Sequence, residues 1–125
     1  MDRQQEENVD VMLAVFAAMA KLGLDNLDVE KLENSFPAVL EILGNKVVFY
    51  RDPVTGRYSQ LYSAVVRIQR FGFCRWESPH YRKLQLLFSP RDVHKILSKK
   101  EDYEVIKRAA QAWHDSYFGI TPAAS

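Results

Sequence analysis

Gln60, Ser63, Arg67 and Arg70 recur every three or four residues in one stretch of this 125-residue chain. That spacing puts them on one side of a helix. What they share is the capacity to hydrogen-bond planar edges and anions. An arginine fork can bridge O6 and N7 of guanine, and a carboxamide can bridge N6 and N7 of adenine, in a groove wide enough to admit a helix. Ser59, Tyr62 and Gln69 flank the stripe, and no acidic residue occurs from 58 to 76. A solvated helix face, the competing reading, usually mixes both signs as glutamate–lysine pairs. The absence of acids favours an anionic partner.

Catalytic chemistry is harder to assemble. His80, His94 and His114 are far apart, and no pair has the spacing of zinc ligands. The single cysteine, Cys74, follows an apolar turn and reads as core. The five glycines are isolated, so no phosphate loop is present. Glu6-Glu7 and Glu101-Asp102 lie at helix starts, where the macrodipole accounts for them. We expect no enzyme, no cofactor and no metal ion.

The net charge of +1 conceals a segregation. Residues 1–46 hold nine acids and four bases, residues 47–100 three acids and eleven bases, and residues 101–125 four acids and two bases. The basic middle segment suits an anionic partner; equally, it can pack beside the acidic N-terminal part and cancel it. The length suggests one domain, 1–125. No apolar run approaches a membrane span, the start has no signal-peptide order, and a lone cysteine fits a reducing compartment. A cytoplasmic protein is expected, with no membrane contact and a frayed tail at 121–125.

The elements that must position the stripe follow from periodicity. A first helix is predicted over 6–22, with Val9, Leu13, Phe16 and Ala20 on one face. Asp28 opens a second, with Pro37 inside its apolar pattern and Ser35 available to cap a restart, so a kinked or split helix ends at Gly44. Val47 to Tyr50 read as a short strand, and Asp52-Pro53-Val54-Thr55-Gly56 as a tight turn. Residues 45–57 therefore form an arm or hairpin whose tip carries Arg51 and Arg57. The stripe's helix spans 58–71, with Leu61, Ala64, Val65, Ile68 and Phe71 facing the core. Gly72 caps it, between two core phenylalanines, Phe71 and Phe73. Residues 73–77 and 81–88 read as a ribbon closed over Ser78-Pro79-His80, with Arg75, Arg82 and Lys83 near the tip to hold phosphates. Ser89-Pro90-Arg91-Asp92 is a helix start, and Ser98-Lys99-Lys100-Glu101 resembles a second capping box. In the last helix Tyr103, Ile106, Ala110, Trp113 and Tyr117 form a narrow seam. That seam either covers the domain's own core or makes a homodimer contact.

The ladder YSQLYSAVVRIQRFGF, the hairpin CRWESPHYRKLQLLFSP and the helix-opening Ser89-Pro90 together resemble the recognition helix and wing of winged-helix transcriptional regulators. The resemblance implies an α+β, mostly helical fold. Its winged-helix-like core would span about 28–99, with a two- or three-stranded ribbon and flanking helices at 6–22 and 101–118. It also implies a transcription regulator that binds double-stranded DNA, often as a homodimer. Gln60, Ser63, Arg67 and Arg70 would face the major groove, and Arg57, Arg75, Arg82 and Lys83 the phosphates. One departure stands out: 45–57 intervene where a short turn usually joins the two helices. Winged helices also serve as protein-docking modules, so a non-enzymatic interaction protein with a protein partner is the alternative.

Overall fold

The computed structural model describes residues 3–77 and 82–120. The ribbon tip at Ser78, Pro79 and His80, the strand start at Tyr81 and the tail 121–125 lie outside the described residues. The fold is α+β and mostly helical, with one three-stranded antiparallel sheet. Among the described residues no helix is long and apolar enough to cross a membrane.

Helix α1 (Arg3–Lys21) is the pillar. It packs on three other helices, so its buried arc is wider than the single face its periodicity predicts. Residues 14–19 are all buried, as expected where a helix is apolar all round. A strand that the sequence does not announce follows, β1 (Asn26–Asp28). Then come α2 (Val29–Asn34) and α3 (Phe36–Leu43), split at Ser35 as the proline requires. Asp28 caps α2 by accepting from the Lys31 N–H at 3.1 Å. Pro37 sits in the first turn of α3, where its missing N–H leaves no bond unmade. The Ser35 hydroxyl donates back to the Lys31 carbonyl at 2.7 Å, closing α2 rather than capping α3.

A 3-10 turn (Gly44–Lys46) leads into the arm. Val47 to Tyr50 form no strand, contrary to their β-branched and aromatic composition. They are held by other means. Asn8, buried in α1, grips Val48 at both backbone groups, and Phe49 packs edge-on against Phe36 with ring centroids 5.1 Å apart. The tip is a small hairpin: Arg51 bridges Tyr58, and Asp52 accepts from the Val54 and Thr55 N–H groups. Gly56 takes φ 72° there, which a side chain would strain.

Helix α4 (Ser59–Arg70) follows. It ends in a Schellman motif: the Phe73 N–H returns to the Ile68 carbonyl and the Gly72 N–H to that of Gln69, with Gly72 at φ 86°. Strands β2 (Cys74–Trp76) and β3 (Lys83–Leu86) pair, and β1 adds to the far edge of β3, giving the order β1-β3-β2. Leu27 opposes Leu84, and Cys74 opposes Leu86, so these four buried side chains share the inner face.

Helix α5 (Pro90–Leu97) opens with the full capping box: Ser89 accepts from the Asp92 N–H, and Asp92 from the Ser89 N–H. The second box does not form. The Ser98 hydroxyl donates to the Lys95 carbonyl instead, and α6 (Tyr103–Tyr117) starts after Asp102. The seam of α6 covers the domain's own core, the first of its two expected readings. Ile106, Ala110 and Trp113, expected as candidates for a dimer interface, are buried against α1 and α3 of the same chain. Trp113 packs on Phe16 and Phe36 at 5.3 and 5.2 Å, and its indole N–H donates to the Leu32 carbonyl. At the seam's ends, the Tyr117 hydroxyl accepts from the Asp28 N–H, and the Lys21 ammonium donates to the Tyr103 hydroxyl. The seam is filled from within because α3 supplies the second apolar surface.

Candidate nucleic-acid interface

Helix α4 divides as its wheel predicts. Leu61, Ala64, Val65 and Ile68 are buried. Phe71 is not: its ring is 53% exposed, because the Schellman turn carries the chain away before it reaches the core. Phe73 stacks instead on Phe88, centroids 5.0 Å apart.

The polar side of α4 lines a groove of about 420 Å3 that it shares with the start of α1. Gln60, Ser63, Arg67 and Arg70 all contribute to this groove. Across it stand Gln5 and Asn8, which sequence reasoning did not select. The available signal was Asn8 itself, a carboxamide beside the apolar positions of α1. Its side-chain oxygen accepts from the Val48 N–H at 3.0 Å and from Gln4 at 3.0 Å, and its amide donates to the Val48 carbonyl at 2.8 Å. Asn8 thus fastens the arm beside the first turn of α4.

The arm does not roof the stripe. It reaches Gln60, whose carbonyl oxygen accepts from the Tyr50 N–H at 3.1 Å. Ser63 and Arg70 remain exposed, and Arg67 is half-buried. Gln60 therefore serves the fold with its oxygen, which leaves its amide nitrogen for a partner.

The remaining cations fall into two groups. Arg75 and Lys83 stand on the outer face of the sheet, since the side chains of β3 alternate and Leu84 and Leu86 point inward. The Arg75 guanidinium donates to Gln85 across the ribbon at 2.9 Å, and Lys83 lies 3.8 Å from the Asp28 carboxylate. Arg57 and Arg82 instead line a separate cleft between α2, α4 and the ribbon, where Arg57 approaches Glu33 at 4.0 Å. The eight expected contacts are thus a groove of four, an outer-sheet pair, and a pair turned toward the cleft. The Lys83–Asp28 pair is exposed enough to contribute little to stability, so a phosphate can replace that carboxylate at small cost.

Cys74 is core. Its thiol is buried against the Val65 carbonyl, and burial pushes its pKa up to about 11.

No protein-family model, curated protein or solved structure matches this chain.

Proposed function

We propose that the chain is a winged-helix-like DNA-binding protein of the transcription-regulator kind. Helix α4 would enter the major groove, and the β2–β3 ribbon would lie against the backbone. The observation that carries this reading is the groove face of α4. Two guanidinium groups, a carboxamide and a hydroxyl line one surface, on a helix followed directly by an antiparallel ribbon. The sheet order supports the fold part of the proposal, with β1 as the small third strand beside that ribbon. The long arm is accommodated because Asn8 and Phe36 hold it at the edge of α4.

The arrangement sets different roles. Arg67 and Arg70 reach base edges or the flanking phosphates, Ser63 takes either, and Arg75 and Lys83 position the ribbon without reading sequence. Fluorescence anisotropy against random-sequence duplex DNA tests the proposal. The folded protein binds at low salt, and binding weakens steeply as salt rises. No binding at low salt refutes it. Recovery of one stoichiometric protein partner, free of nucleic acid, supports the docking alternative instead.

A further inference from the structure

The cleft on the far side of α4 has a chemistry the DNA reading does not use. It measures about 930 Å3, within the range of small-molecule sites. Glu33 of α2 lies deep in it, with a side chain only 15% exposed. Its Oε1 is 4.0 Å from Arg57 Nε, and its Oε2 is buried with no hydrogen-bond partner. A buried carboxylate oxygen without a donor is a costly arrangement, and a cation held beside the carboxylate would offset that cost. Tyr62 of α4 shares this environment: burial raises its pKa, followed by the charge and hydrogen bond of Glu33, against the pull of Arg57. The Tyr62 ring stacks on Trp76 of β2 at 6.2 Å and 16°, giving the cleft an aromatic wall.

The charges around the cleft define the ligand class. Three arginines line it, Arg51, Arg57 and Arg82, and so do three acids, Asp28, Glu30 and Glu33. A polyanion such as a nucleotide would meet the carboxylates, and a polycation the guanidinium groups. A net-neutral molecule with separated charges satisfies both. Asp28 is already engaged by the Lys31 N–H and by Lys83, and Glu30 is exposed at the rim, which makes Glu33 the best-sheltered receptor for the positive end.

We infer that this cleft binds a small zwitterion, an α-amino acid with an aromatic or aliphatic side chain. The ammonium meets the Glu33 carboxylate. The carboxylate meets Arg57 and Arg82. The side chain lies along the Tyr62–Trp76 wall. Such a ligand would touch α2, α4, β2 and Arg82 beside the start of β3 at once, so its occupancy would fix the angle between α4 and the ribbon. The site stands on its own chemistry and does not depend on DNA binding.

The test is calorimetry on the full chain with each of the common amino acids, followed by tryptophan fluorescence. Trp76 reports on the cleft, while Trp113 is fully buried elsewhere. At least one amino acid with an apolar side chain binds below about 1 mM and changes the Trp76 emission. Its des-amino acid and its carboxamide each bind at least ~10-fold more weakly. Glu33→Gln weakens the amino acid to the same degree but leaves the des-amino acid unchanged, and Arg57→Ala weakens the amino acid but not its carboxamide. Should Glu33→Gln fail to fold, the analogue series on the unmutated chain decides. No heat at about 10 mM of any amino acid overturns the proposal, as does binding of either analogue as tight as that of the parent amino acid, or binding of adenosine or guanosine monophosphate in its place.

Discussion

Replacing Asn8 with alanine removes the two hydrogen bonds that tie the arm to α1. The Val48 N–H and C=O, at 3.0 and 2.8 Å from the carboxamide, lose their partner together, and Gln4 loses an acceptor. Leaving a buried polar group unpaired costs about 1–3 kcal/mol. Val48 is half-buried, so water recovers part of this for one of the two groups. The net cost is then about 2–3 kcal/mol. For a chain of this size, each kcal/mol moves Tm by roughly 3–5 °C, so the variant melts about 6–15 °C lower. Urea denaturation followed by circular dichroism measures the loss. Hydrogen exchange locates it, with the amides of residues 47–50 exchanging faster while those of α6 keep their relative order. Asn8→Asp separates the two bonds: its oxygen still accepts from the Val48 N–H, but a carboxylate facing the Val48 carbonyl repels it. It should destabilise nearly as much as alanine at neutral pH. A change below about 0.5 kcal/mol for Asn8→Ala, the range of ordinary surface substitutions, refutes the reasoning.

Three further outcomes follow from other parts of the fold. Trp113→Ala empties the centre of the aromatic cluster and should cost about 3–5 kcal/mol by urea denaturation, while size-exclusion chromatography shows no dissociation specific to this variant. The Asp92 pKa lies below its ordinary value because of the hydrogen bonds with Ser89, chiefly from its backbone. The resulting stability is fully present above the unfolded carboxylate pKa of about 3.9 and is lost as pH falls through the lower folded value. Ser89→Ala keeps the backbone N–H that chiefly lowers Asp92, so its inflection, followed by NMR, should move up only part of the way, while loss of the serine cap should lower stability at neutral pH by about 1 kcal/mol. With its thiol pushed up to about 11 and buried, Cys74 should resist a disulfide reagent at pH 8 until the chain unfolds.

The elements carried by local chemistry were legible in the sequence. Pro37 forces the break between α2 and α3, Gly72 sets the end of α4, and Ser89 with Asp92 starts α5. Each works within a few residues, so composition reveals it. What was hidden depends on partners distant in sequence. Asn26-Leu27-Asp28 carries no strand signal and becomes β1 only because the edge of β3 receives it, from Asn26 opposite Gln85 to Asp28 opposite Lys83. Val47 to Tyr50 have strand composition but no strand beside them, and Asn8 satisfies their backbone instead. The seam on α6 has the spacing of a helix-pairing surface, and periodicity cannot say whether the second helix belongs to another chain. Here α1 and α3 fill it.

The candidate site was legible in the same uneven way. Helical spacing alone brought Gln60, Ser63, Arg67 and Arg70 together. It did not show that Gln60 would spend its oxygen on Tyr50, or that Arg57 would turn toward Glu33. Those contacts join residues 10 and 24 positions apart in sequence, through an arm whose path only the folded chain defines.

The central claim is that Arg67 and Arg70 form a nucleic-acid-binding face. It is tested most directly by the salt dependence of duplex binding, measured for the unmutated chain and for the double variant Arg67→Ala/Arg70→Ala. About four phosphate contacts give a slope of log K against log salt near −3.6, so a fourfold rise in salt weakens binding roughly a hundredfold. The double variant should bind more weakly and lose up to about 1.8 from that slope, with its fold unchanged by circular dichroism. Equal affinity and an equal slope for the two proteins would contradict the account.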